Sequence, residues 1–190
     1  MALSHDGKVN STVAPYPRLA VVLHWSIALL LFADIAIGWW MPGIAKSPVG
    51  TRAAWFNVHK SIGIVILFAV LLRMTWRASH PLDELAELPA WQRTVAQLTH
   101  GLLYACMLVM PATGLAGSMF TRYPIRFFGV ALPVWQRDWP EAKALMSDVH
   151  SALAWVFAAL IAMHVAAALW HWWLRDPVAA RMGMPPLPSA

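Results

Sequence analysis

Histidine is the residue type in this sequence whose number and placement could support chemistry. The chain contains eight histidines, and six of them lie in long apolar stretches: His24, His59, His100, His150, His164 and His171. An ionisable side chain is costly in such surroundings and by default marks function. A single one is as readily a hydrogen-bonded contact between helices, but six together indicate that the chain binds a metal or a cofactor.

The most informative spacing separates His150 from His164, which are fourteen residues apart. In a helix, fourteen residues give a rise of about 21 Å and a rotation of only about 40° from the same face. Two imidazoles on one face at two heights suit two cofactors stacked along the helix. Haem fits this arrangement, because imidazoles on both axial faces give a low-spin, electron-transferring iron. The single cysteine, Cys106, excludes covalent attachment through a Cys-x-x-Cys-His motif.

The heights of the histidines suggest partners for this pair. If the two chain termini lie on one side of a helical bundle, His59 and His150 are the candidates near the opposite side. On the terminal side, His164 needs a partner, and height alone permits either His24 or His100. The residues leave this choice open.

Two glycines have spacings that bear on that choice. Gly38 lies fourteen residues beyond His24, and Gly114 lies fourteen residues beyond His100. A missing side chain at either position could let a porphyrin lie against the helix. It could equally serve close helix packing, which is common in membranes, so the glycines do not decide the partner.

Zinc or copper transport is the competing metal interpretation. A tetrahedral zinc site needs ligands clustered around one ion, whereas these histidines separate into two levels about 20 Å apart. Aspartate and glutamate together number only nine in the whole chain. The pattern therefore favours haem over a transported ion.

The elements that position these histidines are predicted to be membrane-spanning helices. Hydrophobic residues make up 59% of the chain and charged residues 12%, about half the charged fraction of a soluble domain. A bilayer core of about 30 Å needs roughly 20 apolar residues in a helix. Four stretches meet this requirement: Leu19–Met41, Ala53–Trp76, Leu98–Phe120 and Val149–Leu174.

The predicted fold class is therefore all-α, an integral membrane four-helix bundle that binds two b-type haems. Residues 1–17 form an N-terminal segment, residues 18–176 the transmembrane domain and residues 177–190 a C-terminal tail. The scattered basic residues flank apolar runs, which favours membrane boundaries over binding of nucleic acid. The connection from Thr121 to Ser147 is long and is predicted to carry a short amphipathic helix on the surface.

Several segments in this order resemble the bacterial cytochrome b561 family of four-helix, di-haem membrane cytochromes. The resembling segments are Arg18–Trp25, Val58–Ile64, Gln97–Gly101, Pro111–Gly114 and His164–His171. The resemblance implies that His24 pairs with His164 and His59 with His150, which leaves His100 as a non-ligand. It also implies a bacterial inner-membrane protein with both termini in the cytoplasm. Lys and Arg are equally divided between the two sides, so charge alone does not orient the chain.

The same resemblance implies electron exchange with the quinone pool. Some members are similar to superoxide oxidase, which passes electrons from superoxide outside the membrane to ubiquinone. This makes an oxidoreductase that uses a small anionic donor the favoured function. The alternative is an electron-transfer subunit that docks a periplasmic redox protein, a dehydrogenase or a hydrogenase.

Other polar residues are assigned roles on this scheme. Lys60 lies beside a predicted haem ligand and would attract an anionic donor, while His171 would hydrogen-bond or protonate a quinone. Arg73 and Arg77 are candidates for the haem propionates, although basic side chains here could instead reach lipid phosphate. Asp34 is either a proton relay or a hydrogen-bonding group.

Overall fold

The computed structural model describes residues 16–46, 50–81, 89–133, 135–174 and 182–183. The long elements are four helices: α1 (Arg18–Trp40), α2 (Thr51–Ser79), α3 (Ala90–Met119) and α4 (Pro140–Trp173). A short 3₁₀ turn, Met41–Gly43, follows α1, and two short strands lie between α3 and α4: β1 (Arg126–Phe127) and β2 (Val130–Ala131). Most of the predicted N-terminal segment and C-terminal tail lies outside the described residues.

All four helices are long and apolar enough to span a membrane. They contain 23, 29, 30 and 34 residues, and many of their large apolar side chains are exposed on the outside of the bundle. In a bilayer these side chains would contact lipid, which explains why the helices lack a polar face. The prediction of four membrane-spanning helices is therefore confirmed.

The start of α4 differs from the sequence prediction. The apolar stretch begins at Val149, but the helix begins at Pro140. Proline is favoured in the first turn because its missing N–H has no helical partner there, and Glu141 complements the positive end of the helix dipole. The polar residues before the apolar run thus extend the helix, which a prediction based on hydropathy does not detect.

The prediction of a surface helix in the α3–α4 connection is wrong for the residues that precede α4. This segment instead forms an antiparallel hairpin in which Arg126 pairs with Ala131 and Phe127 with Val130. Phe128 and Gly129 turn the chain with φ values of 44° and 94°. Such a tight two-residue turn ends the helical pattern, because two successive positive φ values are incompatible with a helix.

The hairpin is anchored to α2 by a fully buried serine. The backbone N–H of Phe128 donates to Oγ of Ser61 at 2.9 Å, and that hydroxyl donates to the carbonyl of Asn57 at 2.7 Å. Ile125, just before β1, is fully buried. The hairpin therefore covers the end of the bundle where α2 and α4 begin.

Helices that are consecutive in the chain pack against each other most closely. Their core consists of two small apolar clusters, one around Ile27, Ile66 and Val70 and the other around Leu103, Cys106 and Phe157. Among the described residues, the backbone of α4 lies close to α3 but farther from α1 and α2. The space between α4 and these two helices is where the histidine side chains meet.

The C-terminal residues that the structure describes return to the start of α1. The indole N–H of Trp25 donates to the carbonyl of Met182 at 3.0 Å, and Gly183 lies against Val21. Residues 182–183 therefore lie beside the first part of α1, as an even number of spans requires.

Candidate functional site

The first histidine pair lies near the hairpin and joins α2 to α4. The ring centres of His59 and His150 are 6.1 Å apart, with an angle of 89° between the ring planes. Both side chains are half-buried. We call His59 and His150 the hairpin-side pair.

Asp34 on α1 determines which nitrogen of His59 is available for a ligand. Nδ1 of His59 lies 2.9 Å from Oδ1 of Asp34 and 3.3 Å from the Asp34 backbone carbonyl. Both of these oxygens are acceptors, so Nδ1 carries the hydrogen and Nε2 keeps a free lone pair. A metal-ligating histidine almost always donates its other ring N–H in this way.

The ring of His150 is fixed in the same tautomer from α3. Its Nδ1 lies 3.1 Å from the carbonyl of Met110 and 3.1 Å from Oγ1 of Thr113. The Thr113 hydroxyl donates to the same carbonyl at 2.8 Å, so it accepts from the imidazole. Nε2 of His150 is therefore also available to a metal.

Each ring of this pair lies directly against a glycine. A Cβ added at Gly38 would come within 3.2 Å of Cε1 of His59, and one added at Gly114 would come equally close to Cε1 of His150. Both distances are shorter than ordinary van der Waals contact. The two glycines therefore make room for the imidazoles of the hairpin-side pair, a role that their spacing from His24 and His100 did not indicate.

The second group of histidines lies at the opposite end of the bundle. The ring centre of His164 is 6.2 Å from that of His24 and 5.4 Å from that of His100. We call His24 and His164 the terminal-side pair. The sequence left open whether His24 or His100 is the partner of His164. Both rings lie next to His164, and that of His100 is the closer of the two.

Arg73 on α2 brings a positive charge to this group of histidines. Its guanidinium donates to the carbonyl of Ala20 at 2.7 Å and to the hydroxyl of Tyr104 at 3.2 Å. Its charge acts on the imidazoles of the terminal-side pair and of His100. These bonds to α1 and α3 hold the cation in place between three helices.

A cleft opens beside Arg73 at this end of the bundle. Its lining residues are Tyr16, Pro17, Ala20, Arg73, Trp76, Arg77, His80, Tyr104 and Met182. Trp76 and His80 stack at 3.8 Å between ring centres, and the indole N–H of Trp76 is buried with no partner among the described residues. Neither of these two residues was predicted from the sequence to be part of a site. Their spacing from Arg73 and Arg77 could have indicated it, because positions i, i+3, i+4 and i+7 share one helix face.

The two residues predicted to act on substrates lie at opposite ends. Lys60 is half-buried on α2 and is close enough to Lys143 for their charges to repel. His171 is half-buried in the last turn of α4 and is not part of the lining of the cleft. The structure thus brings Arg73 and Arg77 together at one site and leaves His171 outside it.

The spacing of both pairs matches one metal atom held between two imidazoles. A metal–nitrogen bond of about 2 Å and about 1.2 Å from nitrogen to ring centre on each side give roughly 6.4 Å between ring centres. The observed separations are 6.1 and 6.2 Å. Within the described ranges no three His, Cys, Asp or Glu side chains cluster as a metal site. The paired imidazoles fit an iron porphyrin, which the two rings of each pair would hold between them.

Comparison with known proteins agrees with this chemistry. The profile of the prokaryotic cytochrome b561 family matches residues 15–184. The chain belongs to this family. It is therefore a membrane electron-transfer protein of the type that carries b-type haem, and the resemblance noted from the sequence is confirmed.

Individual relatives cover nearly the whole chain. Cytochrome b561 homolog 2 of Escherichia coli (strain K12) is 27% identical over 180 residues, which cover 91% of this chain and 93% of the relative. Cytochrome b561 homolog 1 of the same strain is 26% identical, with 88% and 96% covered. Cytochrome b562 of Cereibacter sphaeroides is 25% identical, with 90% and 96% covered. The similarity thus includes all four helices.

Proposed function

We propose that this protein is a di-haem membrane cytochrome that carries electrons between the outer face of the bacterial inner membrane and the quinone pool. The observation that supports this most is the pair of neighbouring imidazoles at each end of the bundle, with ring-centre separations of 6.1 and 6.2 Å. α4 contributes one ligand to each pair, fourteen residues apart. Two haems at this separation would lie about 20 Å apart along the bundle, one in each half of the membrane.

In this proposal His59 and His150 hold one haem, and His24 and His164 hold the other. The spacing favours His24 over His100, because 6.2 Å leaves room for a metal atom and 5.4 Å leaves less. His100 then packs against the second ligand instead of binding iron. Arg73 and Arg77 line the terminal-side cleft and would bind propionates there by charge-assisted hydrogen bonds.

We place residues 18–176 in the membrane domain and both termini in the cytoplasm, as the family resemblance implies. The hairpin-side pair then faces the periplasm. The connections on that side carry basic residues on or near the surface: Lys46, Arg52, Lys60, Arg122, Arg126, Arg137 and Lys143. Some are neutralised, since Arg122 pairs with Asp138 at 2.6 Å, but the net charge of this face remains positive.

The proposed donor is superoxide, a small anion that a positive face would attract. Lys60, adjacent to a proposed haem ligand, would guide it to the hairpin side. Each superoxide gives up one electron and leaves as dioxygen. At the terminal side one ubiquinone takes two electrons and two protons to become the quinol, with His171 donating a hydrogen bond to a quinone carbonyl.

The second candidate function is an electron-transfer subunit that docks a periplasmic redox protein. It is favoured by exposed aromatic side chains around the hairpin, where Tyr123, Phe128 and Trp135 are 72%, 60% and 60% exposed. Exposed aromatic residues are enriched where proteins bind each other. Reduction of the purified protein by superoxide separates the two functions: a rate no better than that of free haem would favour the docking subunit.

The deciding experiment for the ligands is haem quantitation with a reduced-minus-oxidised visible spectrum. We expect two b-type haems per chain in the native protein, one in His150→Ala, and none in a variant that also carries His164→Ala. His100→Ala is the matched control, because it removes another histidine that lies beside His164 and should retain two haems. A colourless native protein, or one haem lost from His100→Ala with two retained in His24→Ala, would contradict the assignment.

A further inference from the structure

The two histidine pairs lie next to charges of opposite sign. On the hairpin side, a carboxylate of α1, Asp34, contacts one ligand ring directly. On the terminal side, the guanidinium of Arg73 is held by Ala20 and Tyr104, and its positive charge acts on both imidazoles.

Asp34 is directed at the hairpin-side pair and at nothing else that the structure describes. It is 9% exposed, and Oδ1, 2.9 Å from Nδ1 of His59, has no other polar partner among the described residues. Oδ2 lies near Gly63, where the absence of a side chain leaves room for the carboxylate between α1 and α2. The charge of Asp34 also acts on His150.

A buried charge in this position acts strongly because little water screens it. Two unit charges interact several times more strongly at a protein's effective dielectric constant of about 20 than in water. A negative charge stabilises the oxidised, more positive state of a metal centre, whereas a positive charge stabilises the reduced state. Hydrogen bonding by the outer partners of a ligating histidine also raises its basicity, which again favours the oxidised state.

Other charges near the two pairs do not cancel this difference. Lys60 follows His59 directly, so its side chain leaves the helix about 100° away from that of the ligand, and its charge acts on Lys143. On the terminal side, Arg77 adds to the positive charge that acts on His100. The asymmetry therefore remains when neighbouring cations are included.

We infer that Asp34 is a positioning residue that fixes the ring of His59 and makes the hairpin-side centre the lower-potential one, while Arg73 raises the potential of the terminal-side centre. Electrons then move spontaneously from the hairpin side to the terminal side. This inference rests on the proposed di-haem function and gives a physical cause for its direction of electron flow.

The test is a potentiometric titration of the purified holoprotein, followed by visible absorbance. His150→Ala, which keeps only the terminal-side haem, identifies which of the two native midpoint potentials belongs to which centre; we expect it to retain the higher one. Asp34→Asn keeps a hydrogen-bond acceptor but removes the charge. It should raise the lower potential and change the ratio of the two singly reduced forms roughly tenfold, which corresponds to about 1.4 kcal/mol and is less than the interaction of two unit charges about 4 Å apart at that dielectric constant.

Two further variants complete the design. Asp138→Asn removes a carboxylate of the exposed Arg122 ion pair and should leave both potentials unchanged. Arg73→Gln should lower the higher potential only.

The inference is overturned if His150→Ala retains the lower potential, or if Asp34→Asn shifts neither potential or only the higher one. A native protein without two haems would instead refute the proposed function, and Arg73→Gln remains informative if Asp34→Asn does not retain its haem.

Discussion

The hairpin-side pair and the terminal-side pair have the same side-chain type at nearly the same spacing, but their surroundings differ. On the hairpin side, Nδ1 of each ring is bonded to a neighbouring helix, and each ring lies against a glycine. On the terminal side, the rings lie beside a third histidine and a fixed guanidinium. One site is thus defined by orientation of its ligands, and the other by the charge around them.

This difference shows how one kind of ligand can give two centres with distinct properties. Hydrogen bonds and burial around a haem ligand are among the means by which a protein sets its potential. Because α4 supplies one histidine to each pair, the difference must come from the other helices: α1 and α3 on the hairpin side, and α2 and α3 on the terminal side.

The largest expected effect comes from filling the space beside one ring of the hairpin-side pair. A Cβ at Gly114 would lie 3.2 Å from His150, so Gly114→Leu should displace the imidazole and abolish the hairpin-side haem, while the terminal-side haem remains. Haem quantitation should then give one haem per chain. Gly101→Leu is the matched control on the same helix, because nothing lies within 4 Å of that position; two haems lost from Gly114→Leu would show that the pairs are not independent.

Removing the buried anchor of the hairpin should have the next largest effect. Ser61→Ala leaves the N–H of Phe128 without its partner, and an unsatisfied buried donor costs about 1–3 kcal/mol. Hydrogen exchange of the hairpin amides should quicken accordingly, without a change near the terminal-side pair. Ser79→Ala, which removes an exposed hydroxyl, should have an effect within about 0.5 kcal/mol; equal exchange in both variants would contradict this assignment.

A smaller effect is expected from removal of the Thr113 hydroxyl, which orients the ring of His150. Thr113→Val removes the 3.1 Å contact but leaves the Met110 carbonyl as acceptor. A typical hydrogen bond contributes about 1 kcal/mol, so haem should dissociate from the hairpin side about fivefold faster. Thr113→Ser should restore the native rate, and a valine variant that releases the terminal-side haem instead would contradict the comparison.

The smallest expected effect concerns the approach of an anionic donor. Lys60→Gln should slow reduction by superoxide about two- to threefold at low salt, a small part of what a whole charged face contributes. The difference should disappear as ionic strength rises, because salt screens exposed charges. Arg18→Gln, which removes an exposed charge at the opposite end, should leave this rate unchanged in a stopped-flow measurement. A loss that persists at high salt would indicate that Lys60 does not act by steering.

Much of the architecture could be predicted from particular residues. The fourteen-residue interval from His150 to His164 already implied two levels, because the rise of a helix is fixed per residue. The apolar stretches gave the four spans, since hydropathy depends on composition alone. The hairpin was missed because a turn through Phe128 and Gly129 leaves no periodic signal.

The order of residues predicts four helices that are apolar and long enough to span a membrane, with imidazoles at two heights, because hydropathy and helical rise are local properties. The contact of Asp34 with His59, the positions of Gly38 and Gly114 against the hairpin-side rings, and the bond that holds Arg73 to α1 could be seen only in the folded bundle. These contacts depend on the rotation of each helix about its axis and on its distance from its neighbours, and packing between helices fixes both.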